Sequence, residues 1–344
     1  MLTRTDLASP PYRPFFVGAV ALLGVLLVLQ LVDVLLLVFG AILVAVLLHA
    51  LASPLQTRLH MPRTLALAVA VAAVALAAAG SAWVFGREAV DQLRALTEIL
   101  PSAWRNLEAR LTADPLGRVA LGQLNGVAAP DDLLLRVAPR VTADLAAALA
   151  AALIVVFAGL YLSFHPHTYL QGALKLLPHS ARGRASEVAE ACNRSLRRWL
   201  LGQLLSMVLV GATTSLGLWL VGVPSPLGLG LLAGIGQFVP VIGPMAAAVP
   251  GLVIASTAGA ETFAWAALVY FGASQLEANL ITPLILRQMA QLPMAVTLFA
   301  VLAMGLLLGP LGVLFATPLA VVAYVAVRML YVEDLLGEPA AAPD

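Results

Sequence analysis

The feature that most limits what this chain can fold into is the length of its apolar runs. From Phe15 to Ala52 the strongly polar side chains are Gln30, Asp33 and His49 alone. As one helix those 38 residues would extend ~57 Å at 1.5 Å per residue. The hydrocarbon core of a bilayer is ~30 Å thick. Further long apolar stretches occupy 226–258, 262–286 and 292–327. Charged residues make up 11% of the 344 residues, against ~25% in an ordinary soluble domain. So few charges cannot cover that much apolar surface in water, so the chain reads as an all-α polytopic integral membrane protein. A soluble enzyme, a nucleic-acid binder and a disordered scaffold are excluded, and a net charge of +1 implies no acidic partner. The single cysteine, Cys192, rules out an internal disulfide and a thiolate metal cluster. The run from Phe15 is as long as a true span and has no small-residue cleavage site behind it, so no cleavable signal peptide is expected.

Charge and breaker residues divide the chain. Residues 1–86 form a short tail and spans at 15–32, 34–52 and 64–86, with a turn near Asp33. Residues 87–140 carry seven basic and seven acidic side chains. Val90, Leu93, Leu96, Leu100, Trp104, Leu107 and Leu111 recur there at helical spacing, so this stretch reads as an extramembrane amphipathic insertion. Residues 141–164 hold a fourth span, at 145–164. Residues 165–200 are a basic segment, 201–332 a core of spans five to eight, and 333–344 a short acidic tail. Span five, 201–222, ends at Gly222-Val223-Pro224. Arginine and lysine orient membrane proteins toward the cytoplasm. The N-terminal tail, the 53–63 loop and the 165–200 segment are the basic sides and fall together if the chain crosses about eight times. Both termini are then expected in the cytoplasm and the 87–140 insertion outside, with Arg287, also expected outside, as one vote against.

The chemistry is concentrated in the C-terminal half. Gln237, Gln275, Glu277, Asn279 and Arg287 are the strongly polar side chains in its three long stretches, with Glu261 in a short connection. Glu277 lies about sixteen residues into its span. A carboxylate at the bilayer centre costs ~2.5–3.5 kcal/mol on insertion scales, and one pKa unit is ~1.4 kcal/mol. A lone acid there is protonated much of the time, the property a proton- or cation-coupling group needs. The plainer reading is a carboxyl hydrogen-bonded inside the bundle. Pro283 lacks the N–H that would bond the Asn279 carbonyl, two residues from Glu277. Gln275 and Asn279 share a helix face and Glu277 points the other way, so one site using all three requires local unwinding.

Two further segments break their helices. Gln237-Phe238-Val239-Pro240-Val241-Ile242-Gly243-Pro244 places two prolines around a glycine, with Pro250 six residues on. Gly309-Pro310-Leu311-Gly312 is followed by Pro318. Irregular backbone at membrane depth is tolerated inside protein or beside a watery cavity, and broken helices build substrate and ion sites in transporters. The two segments flank the Glu277 span, which suggests a pair of helical hairpins around it. His165-Pro166-His167 lacks further ligands for a metal. No ATP-binding loop and no paired intramembrane catalytic groups occur, so neither ATP hydrolysis nor proteolysis is expected, and no cofactor.

The motifs Gly202-Gln203, Leu218-Trp219-Leu220-Val221-Gly222-Val223-Pro224, Phe238 to Pro244, Gln275-Leu276-Glu277-Ala278-Asn279-Leu280-Ile281-Thr282-Pro283-Leu284-Ile285, and Gly309 to Gly312 through Pro318 together resemble the autoinducer-2 exporter family of bacterial membrane transporters. Pro54, Pro62-Arg63 and the insertion after span three fit the same pattern. The resemblance covers nearly the whole chain. It implies eight crossing segments, the bacterial inner membrane and a homo-oligomer, pentamers being the family's assembly. Members include exporters of autoinducer-2 and sodium/proton antiporters. The family's acidic motif maps onto Glu277, Asn279 and Pro283, and its proline-glycine motif onto Pro240, Gly243 and Pro244. Ala278 departs from it where a polar residue is common.

The expected function is secondary transport of a small solute or ion by alternating access, with Na+ or H+ as the coupling ion. Glu277 would couple, Gln237, Gln275 and Asn279 would line the pathway, and Pro240, Gly243, Pro244, Pro283, Gly309, Pro310 and Gly312 would break or gate the helices. The competing classes are a passive oligomeric pore and a non-transporting membrane scaffold. The expected partners are membrane lipid, the transported solute and further copies of the chain.

Overall fold

A computed structural model describes residues 13–84, 86, 130–240, 242–281 and 294–337, and the side chains of 30–84, 86, 147–240, 242–279 and 295–337 within them. Every regular element among the described residues is helical. Helix α1 (Arg13–Arg58) runs unbroken for 46 residues, ~69 Å. The turn expected near Asp33 is absent. No glycine or proline interrupts the backbone ladder there, and one exposed carboxylate does not break a continuous series of i to i−4 hydrogen bonds. Arg13 and Arg58 therefore stand at opposite ends of one helix, without the reversal expected between them.

Helix α2 (Arg63–Val84) packs on α1 through the small side chains of Ala52, Ala66 and Ala70 with Leu48 and Leu67. Helix α3 (Pro130–Phe164) contains the expected fourth span and begins well before it, so residues 130–140 already belong to it. The helix expected at 90–111 lies outside the described residues. Gly159 lets α3 cross α1 closely, since a Cβ there would lie 2.7 Å from the Ala41 carbonyl oxygen.

The basic 165–200 segment is helical, comprising α4 (Pro166–Lys175) and the first half of α5 (His179–Val221). Helix α5 then continues without a break through span five, 43 residues in all. It stops where the sequence indicates. Gly222 takes a left-handed conformation (φ 77°), and the Val223 N–H bonds back to the Leu218 carbonyl, the geometry glycine permits most cheaply. At the polar end Arg184 binds Glu187 (2.8 Å), Asp334 (2.8 Å) and Glu333 (3.2 Å) and donates to the Met329 carbonyl. Those acids, Glu187 first, hold its guanidinium above the ordinary arginine value. This cluster ties the start of the acidic tail onto α5.

The remaining helices are α6 (Pro226–Gly236), α7 (Ile242–Thr257), α8 (Ala260–Leu276) and α9 (Met294–Val327). Five helices among the described residues are long and apolar enough to cross a membrane, and α6 and α7 are shorter apolar helices. Large apolar side chains such as Leu306 (80% exposed) and Phe299 (71%) cover the outside. An outer surface of this kind suits lipid, where an aqueous fold would bury it.

Candidate functional site

The two broken segments are both helical hairpins, and each turns around glycines seven residues apart. In the first, α6 and α7 fold together across the turn from Gln237 to Pro240. A Cβ on Gly243 would collide with the Gly236 carbonyl oxygen, and one on Gly236 would lie 2.8 Å from the Gly243 carbonyl oxygen. Pro240 and Pro244 flank that turn and cannot supply the N–H groups a continuous helix needs there. In the second, α9 breaks at Gly309, whose φ of 62° and ψ of −149° lie in a region open essentially to glycine. Pro310 follows at once. Residues eight apart in a straight helix are separated by ~12 Å. Here a Cβ on Gly312 would strike the Met304 carbonyl oxygen, and one on Gly305 would lie 2.8 Å from Val313 Cγ2. The arms on either side of Gly309 are therefore folded against one another.

Both tips meet on α5. Phe238, at the first tip, packs edge-on against Trp199 with ring centroids 5.7 Å apart. Leu308 and Leu311, at the second, join the core formed by Leu196, Trp199 and Leu200 of α5, Leu36 and Leu43 of α1, and Phe315. The Gln203 side-chain amide donates to the Gln237 carbonyl, pinning the first tip to the same helix. One turn further along α5, the Ser206 hydroxyl donates to Glu277 Oε1 at 3.4 Å. Gln203 and Ser206 are three residues apart and so share a helix face.

Glu277 begins a π-helical turn, Glu277–Ile281, at the end of α8. The unwinding expected here is present as this wider turn, a feature that concentrates at functional sites. The Asn279 side-chain amide donates to the Gln275 carbonyl at 2.9 Å. Glu277 is half-buried toward α5, while Gln275 and Asn279 are exposed on the other side. The site thus joins Gln237 (3% exposed) and Glu277 through α5 and leaves Gln275 and Asn279 facing away. Pro283 lies outside the described residues. Ser206, itself 3% exposed, is absent from the sequence expectations. Its signal is present all the same, since a serine three residues after a glutamine gives an otherwise apolar span a polar face.

The level of the site follows from α5. Ser206 stands eight residues beyond Arg198, ~12 Å along the axis. Glu277 therefore lies nearer the basic end of the bundle than the middle of an apolar span.

Comparison with known proteins agrees with this architecture. The family model described as "AI-2E family transporter" matches residues 15–331. YrrI of Bacillus subtilis (strain 168), provisionally named a transport protein, is 33% identical over 143 residues, 42% of this chain and 40% of its own length. MT0215 of Mycobacterium tuberculosis, named in the same way, is 31% identical over 170 residues, 49% of this chain and 46% of its own. PerM of Escherichia coli (strain K12), provisionally named a permease, is 30% identical over 153 residues, 44% of this chain and 43% of its own. The aligned stretches span less than half the length of these relatives. A match over nearly the whole chain makes this protein a member of the AI-2E family of membrane transporters.

Proposed function

We propose that the chain is a secondary carrier of the bacterial inner membrane, working by alternating access, in which protonation of Glu277 is coupled to movement of a small solute or cation. The observation that carries this reading is the half-buried Glu277 carboxylate, 3.4 Å from Ser206, at the level where both hairpin tips close on α5. A charged carboxylate there only accepts hydrogen bonds, whereas a protonated one also donates, so its partners must rearrange when the proton comes or goes. Losing or gaining a proton therefore changes the stability of the closed tips. Glycines let the arms of each hairpin approach backbone to backbone, Gly236 on Gly243 and Gly312 on Met304, so each hairpin is a tightly packed unit that can move as one body.

The cargo proposed is an autoinducer-2-like signal, or Na+ exchanged for H+, in an oligomer of identical chains. The test is flux in proteoliposomes with a proton gradient, a sodium gradient or neither, using autoinducer-2 and alkali cations as solutes. Glu277→Gln is expected to abolish the pH dependence of flux while the protein assembles normally. An unchanged pH profile would remove Glu277 from the mechanism, and ohmic single-channel currents would make the protein a pore.

A further inference from the structure

We propose that the core where α5, α7 and α8 meet holds a file of hydrogen-bonded water running to Glu277, with the hydroxyls of Thr214 and Tyr270 as its relays, so that protons reach the carboxylate through the bundle. This rests on Glu277 being the coupling group.

Helices α5 and α8 run antiparallel. Ser206 meets Glu277 near one end of their contact, and Gly217 packs on Val269 further along it. Thr214 and Tyr270 fall between those points in both chain directions. The buried face of α5 reads Ser206, Val210, Thr214, Leu218, successive turns of one stripe. The facing stripe of α8 reads Ala266, Tyr270, Ala273 and then Glu277. Val210 and Leu218, one turn either side of Thr214, share a core with Tyr270.

Both hydroxyls are buried, with no hydrogen-bond partner among the described residues. Hydroxyls in apolar helices ordinarily turn back onto their own backbone. Thr213 bonds the Leu209 carbonyl (2.7 Å), Ser163 that of Gly159 (2.8 Å) and Ser274 that of Tyr270 (3.0 Å). Thr214 does not, although it adjoins Thr213. The Tyr270 hydroxyl sits over Gly251 of α7, where any Cβ would displace it. The two hydroxyls thus stand in a core otherwise built of Val210, Leu218, Leu229, Ala247, Ala255 and Ala266. On α8 the acids are Glu277 at one end and the exposed Glu261 at the other.

Water fits these groups better than a bare cation. A metal ion takes lone pairs only and leaves each O–H without an acceptor, whereas water accepts and donates. In a concerted transfer each hydroxyl takes a proton on its oxygen from one water as it releases its own to the next, so its composition and charge are unchanged.

The test uses the full chain in proteoliposomes under an imposed membrane potential, with a trapped pH dye reporting proton uptake. Tyr270→Phe and Thr214→Val are expected to cut uptake on the order of 100-fold, and Thr214→Ser to restore it. In parallel, radiolytic hydroxyl-radical labelling of the purified protein is expected to mark Tyr270, buried as it is, because water lies against it, and to mark it less in Thr214→Val. No uptake by the wild type, undiminished uptake in both variants, or an unlabelled Tyr270 overturns the relay. If the hydroxyl variants conduct normally while Glu277→Gln does not, the relay falls and the coupling role stands. If Glu277→Gln conducts normally and the hydroxyl variants do not, the coupling role falls and the relay to Glu277 falls with it.

Discussion

The two hairpins share a glycine spacing and differ in how their tips are held. In the first, the turn is spread over Gln237 to Pro240 and fastened to α5 twice, by the Gln203 amide and by Trp199 against Phe238. In the second, the reversal is concentrated in Gly309 (φ 62°) and the tip is held by the apolar packing of Leu308 and Leu311. A spread turn held by a directed hydrogen bond resists small displacements. A pivot at one residue, held by non-directional packing, gives way more readily. The second hairpin is therefore the better candidate for the moving gate, and the first for the fixed wall beside Glu277.

Substitutions at the two tips test that contrast, in descending order of expected effect. Gly243→Val and Gly312→Val drive side chains into the Gly236 and Met304 carbonyls respectively. Overpacking against backbone costs at least the ~1–3 kcal/mol seen in packed cores. Both should sharply reduce the monodisperse fraction on size-exclusion chromatography and speed proteolysis. Normal behaviour of either would show that its hairpin is not closed as described. Next, Gly309→Ala places a Cβ at a backbone conformation that costs ~1–3 kcal/mol for other residues. It should lower the melting temperature measurably and slow flux, whereas Gly236→Ala strains no dihedral and disturbs packing alone. Equal losses in flux from the two would erase the distinction between pivot and wall. The smallest effect is Gln203→Leu, which removes one hydrogen bond worth ~0.5–1.5 kcal/mol while keeping the apolar packing of Phe238. It should loosen the first tip, seen as increased cysteine accessibility at Val239→Cys, with a modest change in flux. An unchanged labelling rate would mean the bond does not hold the tip.

Much of this is legible from residue chemistry. Pro240, Gly243, Pro244, Gly309 and Pro310 announce broken helices because a missing N–H and a missing Cβ act locally, whatever surrounds them. The end of span five at Gly222 is readable for the same reason. The turn expected near Asp33 does not form because span length alone cannot reverse a helix that contains no breaker residue there. Ser206 escapes a reading of residues because a lone serine in a span is ambiguous until its facing residue is known.

That the chain lies in a membrane, that certain backbone stretches must depart from a helix, and that an acid stands among them all follow from the amino-acid order alone. Each results from transfer energies and dihedral limits acting within a few residues. It took the packed helices to establish that the two tips meet on α5, that Ser206 faces Glu277 across 71 residues of chain, and that Gln275 and Asn279 turn away. Those facts depend on helix rotation and register. They are set by where the glycines allow backbones to touch, a property of pairs of helices that no single stretch of residues contains.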